Sequence, residues 1–326
     1  MAANGIMHQG NDHSSMMAWR VHQFGPPDVM TFERVRRPSP GPGEVLVRVE
    51  AAGVGPWDDW IRAGKSALPQ PLPLTPGSDL SGDIIAIGTG VSDLQVGDPV
   101  YGVTNSQFVG AYAEYAVASA AMVSRKPSSL THVEAASVPV VAVTARQALF
   151  EHAQLSAGQT VLIHGAAGNV GGYAVQFARR AGLRIIATAA KEDFPFLRDL
   201  GADTMIDYRT QRFEKHVRDA DAVIDLVGGE TQELSFQVLR PGGELISAVS
   251  PPDERLAKRH GVEATFFLVD VTRRYLTEIG ALIDEGKLKT HVGAVLPLAD
   301  ARETHLMLEG IRPHPKGKIV LRVGAG

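Results

Sequence analysis

The chain contains no cysteine, although it has 326 residues. This absence excludes disulfide bonds, thiolate nucleophiles, iron–sulfur clusters and every cysteine-ligated zinc site. The chain also lacks a run of about 18 apolar residues, which a membrane-spanning helix requires. Residues 1–15 are polar and have no apolar stretch of the kind that a secretory signal contains. We therefore expect a cytoplasmic protein that does not cross a membrane.

The chain also has no excess of basic over acidic residues. The formal net charge is −4 at pH 7 and the isoelectric point is about 6.3, which argues against a broad basic surface for nucleic acid or anionic lipid. We expect neither nucleic acid nor a membrane among the partners. Hydrophobic residues make up 44% of the chain, as in ordinary globular proteins, and this length suggests two domains.

The pattern of apolar residues and turn-forming residues changes along the chain. Residues 1–16 show no apolar periodicity and are predicted to form a flexible tail. Up to about residue 130, short alternating runs such as residues 44–49 lie between clusters of Gly, Pro and Asp, which predicts a mostly antiparallel β domain. From about residue 160, short apolar strands alternate with helices, which predicts a parallel sheet covered on both faces. The fold class is therefore α/β, and residues 318–323 form a last strand that could rejoin the first domain.

The most informative segment is a glycine-rich turn between a strand at residues 161–163 and a helix. It reads His164-Gly165-Ala166-Ala167-Gly168-Asn169-Val170-Gly171-Gly172. Small residues at such a turn let a diphosphate approach the free backbone N–H groups at the start of a helix, where a Cβ atom would hold it away. The spacing is G-x-x-G-x-x-G, not the G-x-G-x-x-G of the usual dinucleotide fingerprint. Its position between a strand and a helix, followed by further βα units, nevertheless predicts a dinucleotide site.

The end of the next strand indicates which dinucleotide binds. Sites for NAD usually carry Asp or Glu there to bind the ribose 2′-hydroxyl, but this strand ends Ala187-Thr188-Ala189-Ala190-Lys191. A lysine attracts the 2′-phosphate of NADP, which a carboxylate would repel, so we predict NADPH as the cofactor. Glu192 and Asp193 follow directly and weaken this inference, and Tyr208 with Arg209 could complete a phosphate site.

Beyond the glycine turn, a series of short motifs runs along nearly the whole chain in a characteristic order. They are Gly53-Val54-Gly55-Pro56-Trp57-Asp58, Pro76-Gly77-Ser78-Asp79-Leu80-Ser81-Gly82, Val96-Gly97-Asp98-Pro99-Val100-Tyr101-Gly102, Gly110-Ala111-Tyr112-Ala113-Glu114-Tyr115, Thr144-Ala145-Arg146-Gln147-Ala148-Leu149, Leu200-Gly201-Ala202-Asp203, Val227-Gly228-Gly229, Leu239-Arg240-Pro241-Gly242-Gly243 and Gly317-Lys318-Ile319-Val320-Leu321. With them, residues 17–323 resemble the zinc-independent, zeta-crystallin-like quinone oxidoreductases of the medium-chain dehydrogenase/reductase superfamily.

The resemblance implies a domain organisation and a set of cofactor contacts. A GroES-like catalytic domain would comprise residues 17–140 and a return segment, 272–326, while residues 141–271 would form a Rossmann domain that binds NADP, with the active site in the cleft between them. The resemblance also implies a homodimer. The family's cofactor contacts fall on Thr144, Gly168, Asn169, Val170, Gly171, Lys191, Tyr208, Val249 and Phe267.

Two departures from related sequences concern the active site. Zinc-dependent relatives place a cysteine ligand near Gly55 and a Gly-His-Glu motif where this chain has Gly77-Ser78-Asp79, so we expect no catalytic metal. Many quinone-reductase relatives carry Asn in place of Gly55 and Tyr in place of Trp60. Part of the usual polar lining of the nicotinamide site is therefore absent.

The residues that remain favour hydride transfer without a metal. Without a Lewis acid, alcohol oxidation is disfavoured, whereas quinones and α,β-unsaturated carbonyls accept a hydride readily because negative charge spreads onto the carbonyl oxygen. Gly55, Trp57, Trp60 and Ile61 are the candidate substrate pocket, in which the two tryptophans could form a flat apolar wall. Asp58 and Trp60 are the candidate catalytic residues, Trp60 as part of the pocket. For Asp58, proton transfer and local hydrogen bonding both stay open, and solvent is the favoured proton source.

The sequence thus predicts an NADPH-dependent, metal-free reductase of quinones or activated alkenes. One alternative is an enoyl thioester reductase, which uses the same hydride geometry and needs a channel for a pantetheine arm. Another is a nucleotide-binding protein with little catalytic activity.

Overall fold

The structure is a computed structural model that describes residues 14–323. In chain order the strands of these residues are β1 (Ser15–Val21), β2 (Met30–Arg36), β3 (Glu44–Val54), β4 (Asp79–Ile87), β5 (Pro99–Val103), β6 (Tyr115–Ser119), β7 (Val123–Arg125), β8 (Thr160–Ile163), β9 (Arg184–Ala189), β10 (Thr204–Asp207), β11 (Ala220–Asp225), β12 (Leu239–Ser247), β13 (Glu263–Phe266), β14 (Val292–Pro297) and β15 (Lys318–Arg322). The helices are α1 (Pro56–Arg62), α2 (His132–Ala136), α3 (Pro139–Gln147), α4 (Asn169–Arg180), α5 (Phe194–Leu200), α6 (Gly229–Ser235), α7 (Glu254–His260), α8 (Arg273–Asp284) and α9 (Ala301–Leu308).

The second half of the chain forms the predicted parallel sheet. Its six strands lie in the spatial order β10-β9-β8-β11-β12-β13, and every neighbouring pair is parallel. Chain order reverses at β8, which lies between β9 and β11, and ligands of doubly wound sheets bind in the crevice at such a switch point. The glycine-rich turn follows β8, so the topology places it at this crevice.

Strands of the first half, together with β14 and β15 from the C-terminal segment, form the mostly antiparallel sheet, in the order β14-β15-β3-β4-β5-β7 with β6 paired to β3. Strand β15 pairs antiparallel with β3, with Leu321 opposite Ala52. The C-terminal strand therefore rejoins the first domain, as predicted. A GroES-like sheet and a Rossmann sheet are both present, which confirms the predicted fold class.

Helix α4 is more deeply buried than a single apolar stripe predicts. Residues 171–178 are all buried, because α4 packs against β8 and β9 of the sheet and also against α3 and α5. The tight turn that precedes α4 and this helix packing together fix the position of its N-terminus.

The predicted domain limits can be placed on these elements. Residues 1–13 of the predicted tail lie outside the described residues, but Met16 belongs to β1 and pairs with Val35 of β2. The limit of the tail at residue 16 is therefore wrong, because Met16 packs with Ala18 and Ala113 in a small apolar cluster. The limit between residues 140 and 141 falls inside α3, and the one between 271 and 272 precedes α8. These two limits stay predictions.

Helix lengths bear on the prediction about membranes. None of the helices in residues 14–323 is long and apolar enough to cross a bilayer.

Candidate active site

The turn between β8 and α4 favours glycine at two of its positions, at Gly165 because of its backbone conformation and at Gly171 because of close packing. Gly165 has a φ of +65°, a left-handed conformation that favours glycine. A Cβ atom on Gly171 would lie 2.3 Å from the carbonyl oxygen of Gly165 and 2.6 Å from the Cα atom of Ala166. The start of α4 therefore lies directly against the turn, and only glycine permits that approach.

The start of α4 also offers unpaired hydrogen-bond donors. Within residues 14–323, no acceptor is found for the backbone amides of Asn169, Val170 and Gly171, and Gly168 has no side chain to cap the helix. Free amides and the positive end of the helix dipole attract anions. The residues present thus fit the diphosphate of a dinucleotide.

Two cavities meet at this turn. One, the outer cavity, has a volume of about 780 Å³ and is bordered by the ends of β9 and β10 and by residues 314–317. The other, the cleft, has a volume of about 610 Å³ and lies between the two sheets. Gly165, Gly168 and Asn169 are the lining residues common to both. A dinucleotide whose diphosphate binds at the turn would therefore extend one half into each cavity.

Most of the predicted cofactor residues line one of these cavities. Tyr208 lines the outer cavity. The cleft is lined by Thr144, Val170, Gly171, Val249 and Phe267, whereas Gly168 and Asn169 border both cavities. Lys191 is exposed and does not line the outer cavity, although the adjacent Ala190 does.

The charges in the outer cavity include one that sequence analysis missed. Lys316 lines this cavity and forms an ion pair with Asp193. Arg209 pairs instead with Glu192, at 2.8 Å from Nη1 to Oε1, and both side chains are exposed. Lys316 is more than 100 residues from the glycine turn in sequence, and only the pairing of β15 with β3 brings it there. No local pattern could have indicated it.

The part of the cleft opposite the turn is predominantly apolar. Trp57, Trp60 and Ile61 line it as predicted, and Trp60 is 43% exposed. Phe108 and Lys65 also line it and were not predicted. Among the described residues, none of those that line the cleft carries a carboxylate.

Two predicted site residues do not line the cleft. Gly55 lies behind the indole of Trp57, which is 2.3 Å from the position of a Cβ atom on residue 55. Asp58 is fully buried and does not border the cavity. Its Oδ2 atom accepts hydrogen bonds from the Gly55 amide at 2.9 Å and from the Tyr112 hydroxyl at 3.0 Å. These contacts shape the loop that precedes α1, which favours local hydrogen bonding over proton transfer as the role of Asp58.

Burial has a measurable consequence at Asp58. It raises the pKa of this carboxyl from 3.8 to about 7, despite the opposing hydrogen bond from the Gly55 amide and the charge of Lys318. The pKa of Asp58 is higher in the folded state than in the unfolded state. Protonated Asp58 therefore contributes its full stabilisation below about pH 4, and this contribution to the free energy of unfolding is lost as the pH rises through about 7.

We expect Asp58→Asn to remove that pH dependence. Relative to the wild type, the variant should gain up to roughly 4 kcal/mol in the free energy of unfolding between pH 4 and pH 8. Urea unfolding at a series of pH values measures this difference. A difference that stays constant over the range would contradict the raised pKa.

A buried ion pair lies behind the indole of Trp57. The Nζ atom of Lys318, which lines the cleft, is 2.9 Å from Oδ2 of Asp79, and both side chains are at most 2% exposed. The other carboxylate oxygen of Asp79 accepts the Val140 amide at 3.1 Å. This pair joins β15 of the C-terminal segment to β4 and to the start of α3.

Within residues 14–323, no group of three or more His, Cys, Asp or Glu side chains could hold a metal ion. The expectation of metal-free chemistry stays a prediction.

Comparisons with known proteins agree with this architecture. Residues 41–128 match the family model for an alcohol dehydrogenase GroES-like domain, and residues 200–321 match the model for a zinc-binding dehydrogenase. The quinone oxidoreductase of Homo sapiens is 32% identical over 89% of this chain and 93% of its own length. The 2-methylene-furan-3-one reductase of Solanum lycopersicum is 32% identical over 85% of this chain and 71% of its own length.

Solved structures show the same likeness. The quinone oxidoreductase from Coxiella burnetii is 33% identical, with a TM-score of 0.88 over 95% of this chain and 100% of that chain. The mycobacterial protein Rv1454c complexed with NADPH is 32% identical, with a TM-score of 0.84 over 94% of this chain and 99% of that chain.

The fold and the glycine-rich site define an oxidoreductase of the NAD(P)-binding type. The chain belongs to the quinone oxidoreductase family of the medium-chain dehydrogenase/reductase superfamily.

Proposed function

We propose that the protein is an NADPH-dependent reductase that transfers a hydride to quinones or α,β-unsaturated carbonyl compounds. The observation that carries this proposal is the meeting of two cavities at the unpaired amides of α4. The relatives named quinone oxidoreductase and 2-methylene-furan-3-one reductase support the choice of acceptor, because the second name describes an alkene conjugated to a carbonyl.

The chain's own groups bind and orient the reactants. When bound, the reduced nicotinamide supplies the hydride, and the acceptor oxygen gains the negative charge and then a proton. The amides of residues 169–171 hold the diphosphate, and the indoles of Trp57 and Trp60 exclude water from one side of the cleft. The hydroxyl of Thr144 already donates to the Val140 carbonyl at 2.7 Å. Asp58 lies outside the cleft, so we assign the proton to solvent.

The test follows the absorbance of NADPH with three acceptors: 1,4-benzoquinone, a simple enone and crotonyl thioester. Loss of absorbance with the quinone or the enone supports the proposal. Loss with the thioester alone would make the protein an enoyl thioester reductase. Tight NADPH binding without turnover of any acceptor would instead favour a nucleotide-binding protein with little catalysis.

The preference for NADPH over NADH is part of the proposal. The tip of β9 carries Ala189 and Ala190, which cannot repel a 2′-phosphate. Of the carboxylates that line the outer cavity, that of Asp193 is neutralised by Lys316 and that of Glu214 pairs with Arg212, while Glu230 belongs to α6 and not to the tip of β9. Lys191, adjacent to the same tip, adds a further exposed positive charge.

We expect Lys191→Ala and Lys316→Ala each to weaken NADPH binding about 5–10-fold and to leave NADH binding nearly unchanged. Each substitution removes a positive charge near the 2′-phosphate, and Lys316→Ala also leaves the carboxylate of Asp193 unpaired. Isothermal titration calorimetry with both dinucleotides measures the ratio. Lys287→Ala is the matched control, because Lys287 pairs with Glu285 and lines neither cavity. Unchanged ratios in both test variants would contradict the preference for NADPH.

Two further expectations remain part of the proposal. A homodimer is expected from the family resemblance, and the six-stranded sheet has two edge strands, β10 and β13, at which two such sheets could pair. Analytical ultracentrifugation measures the mass. A cytoplasmic location likewise stays a prediction.

A further inference from the structure

Gly55 precedes α1, and its backbone conformation does not require glycine. Its φ of −135° and ψ of 162° lie in the extended region that any residue adopts. What glycine provides is space, since a Cβ atom on residue 55 would lie 2.3 Å from the Cη2 and Cζ2 atoms of Trp57. The six-membered ring of the indole thus occupies the volume that any other side chain at residue 55 would need.

Contacts from two other segments hold the indole there. Its Nε1 atom donates a hydrogen bond to the Oγ atom of Ser78 at 3.0 Å. The Nζ atom of Lys318 lies 4.4 Å from the ring centroid, in a cation–π contact, and is itself fixed by Asp79. The indole of Trp57 is therefore held by the hydrogen bond that its nitrogen donates and by the positive charge of Lys318 over its face.

We propose that Trp57 determines which acceptors the cleft admits. Its indole closes the cleft beside residue 55 with a flat apolar wall, so the cleft takes a small planar acceptor in preference to a wide fused-ring one. Ser78 and Lys318 are positioning residues that act through this indole. The inference rests on the proposed reductase function.

The first test compares two acceptors, 1,4-benzoquinone and the wider 9,10-phenanthrenequinone. In Trp57→Ala, kcat/KM for the wider quinone relative to the smaller one should rise at least about 10-fold, because the wall is removed. Ser78→Ala should shift the ratio in the same direction by about 2–3-fold, because the indole loses the hydrogen bond that holds it and is kept in place only by its contact with Lys318. The Kd of NADPH should change little in either variant, since the amides of α4 are untouched.

Trp19→Phe is the matched control for loss of an indole. Trp19 is buried, its Nε1 atom donates to the Leu298 carbonyl at 2.6 Å, and it lines neither cavity. The ratio of the two quinones should be the same in this variant as in the wild type.

The second test measures the contact between residue 55 and the indole without any ligand. Gly55→Ala should lower Tm by about 5 °C in the wild type, because the new Cβ atom collides with the indole. In the Trp57→Ala background the same substitution should change Tm by less than about 1 °C. If Trp57→Ala does not fold, Trp57→Leu replaces it, because leucine lacks the ring atoms that contact residue 55.

The outcomes separate this inference from the proposed function. Quinone turnover with an unchanged acceptor ratio in Trp57→Ala, or equal shifts of Tm in both backgrounds, overturns the role of Trp57 and leaves the reductase function standing. If the wild type reduces neither quinone nor the enone, the proposed function fails and the acceptor selection falls with it.

Discussion

Gly171→Ala should weaken the binding of NADPH at least about 100-fold, a loss of about 2.7 kcal/mol. The added Cβ atom would lie 2.3 Å from the carbonyl oxygen of Gly165 and 2.6 Å from the Cα atom of Ala166. Both are backbone atoms, so they cannot move aside as the end of a flexible side chain can. The start of α4 must then shift away from the turn, and its free amides no longer converge on one diphosphate. Isothermal titration calorimetry with NADPH measures the loss.

The next residue of the same helix is a matched control for this variant. A Cβ atom on Gly172 would lie 3.6 Å from the Cδ1 atom of Leu200, an ordinary van der Waals distance. Gly172→Ala should therefore bind NADPH as the wild type does. Similar affinities in the two variants would show that the close approach at Gly171 does not support cofactor binding.

The second large effect is expected on stability. Lys318→Met should lower the free energy of unfolding by about 3–5 kcal/mol at pH 8, since it leaves the buried carboxylate of Asp79 without its cation. The loss should lower the stability of the whole molecule and not only of one segment, because the ion pair connects the C-terminal strand β15 to β4. Urea unfolding followed by far-ultraviolet circular dichroism measures it.

The effect of Lys318→Met should depend on pH with a definite sign. Burial already raises the pKa of Asp79 in the wild type, although Lys318 opposes the rise. Without that cation the pKa rises further, so acidification protonates the carboxyl in the folded state and relieves the penalty. The destabilisation should thus be large above the raised pKa and shrink as the pH falls through it.

The double variant Asp79→Asn/Lys318→Met completes this test. Asparagine can still accept the Val140 amide, and no buried charge is left unpaired, so the double variant should recover much of the stability lost in Lys318→Met. A double variant that is less stable than Lys318→Met, or a loss that does not change with pH, would contradict the account.

Features that depend on neighbours in sequence could be predicted. The strand, turn and helix at residues 160–180 are defined by a short apolar run, by glycines and by a helical pattern that lie within a few residues of one another. The parallel sheet follows from repeats of this unit. The resemblance assigned cofactor contacts to Thr144, Val249 and Phe267, and all three line the cleft.

Features that depend on contacts between segments distant in sequence could not be predicted. Asp58 has the residue type of a catalytic acid, but contact with Tyr112, which is 54 positions away, places it in the interior. Lys316 neutralises Asp193 across 123 positions. The sequence shows that Gly55 and Trp57 are neighbours, yet it does not show that Ser78 and Lys318 turn the indole back over residue 55.

The order of residues alone was enough for the two-sheet α/β architecture, for the strand, glycine-rich turn and helix at residues 160–180, and for the family. Each of these depends on local periodicity, on the conformational freedom of glycine or on motif order. Tertiary structure alone decided which groups face the cleft, which carboxyls have a pKa raised by burial and which cation neutralises which acid. Burial and charge pairing depend on distances through space, and β15 shortens those distances when it joins a sheet begun more than 260 residues earlier.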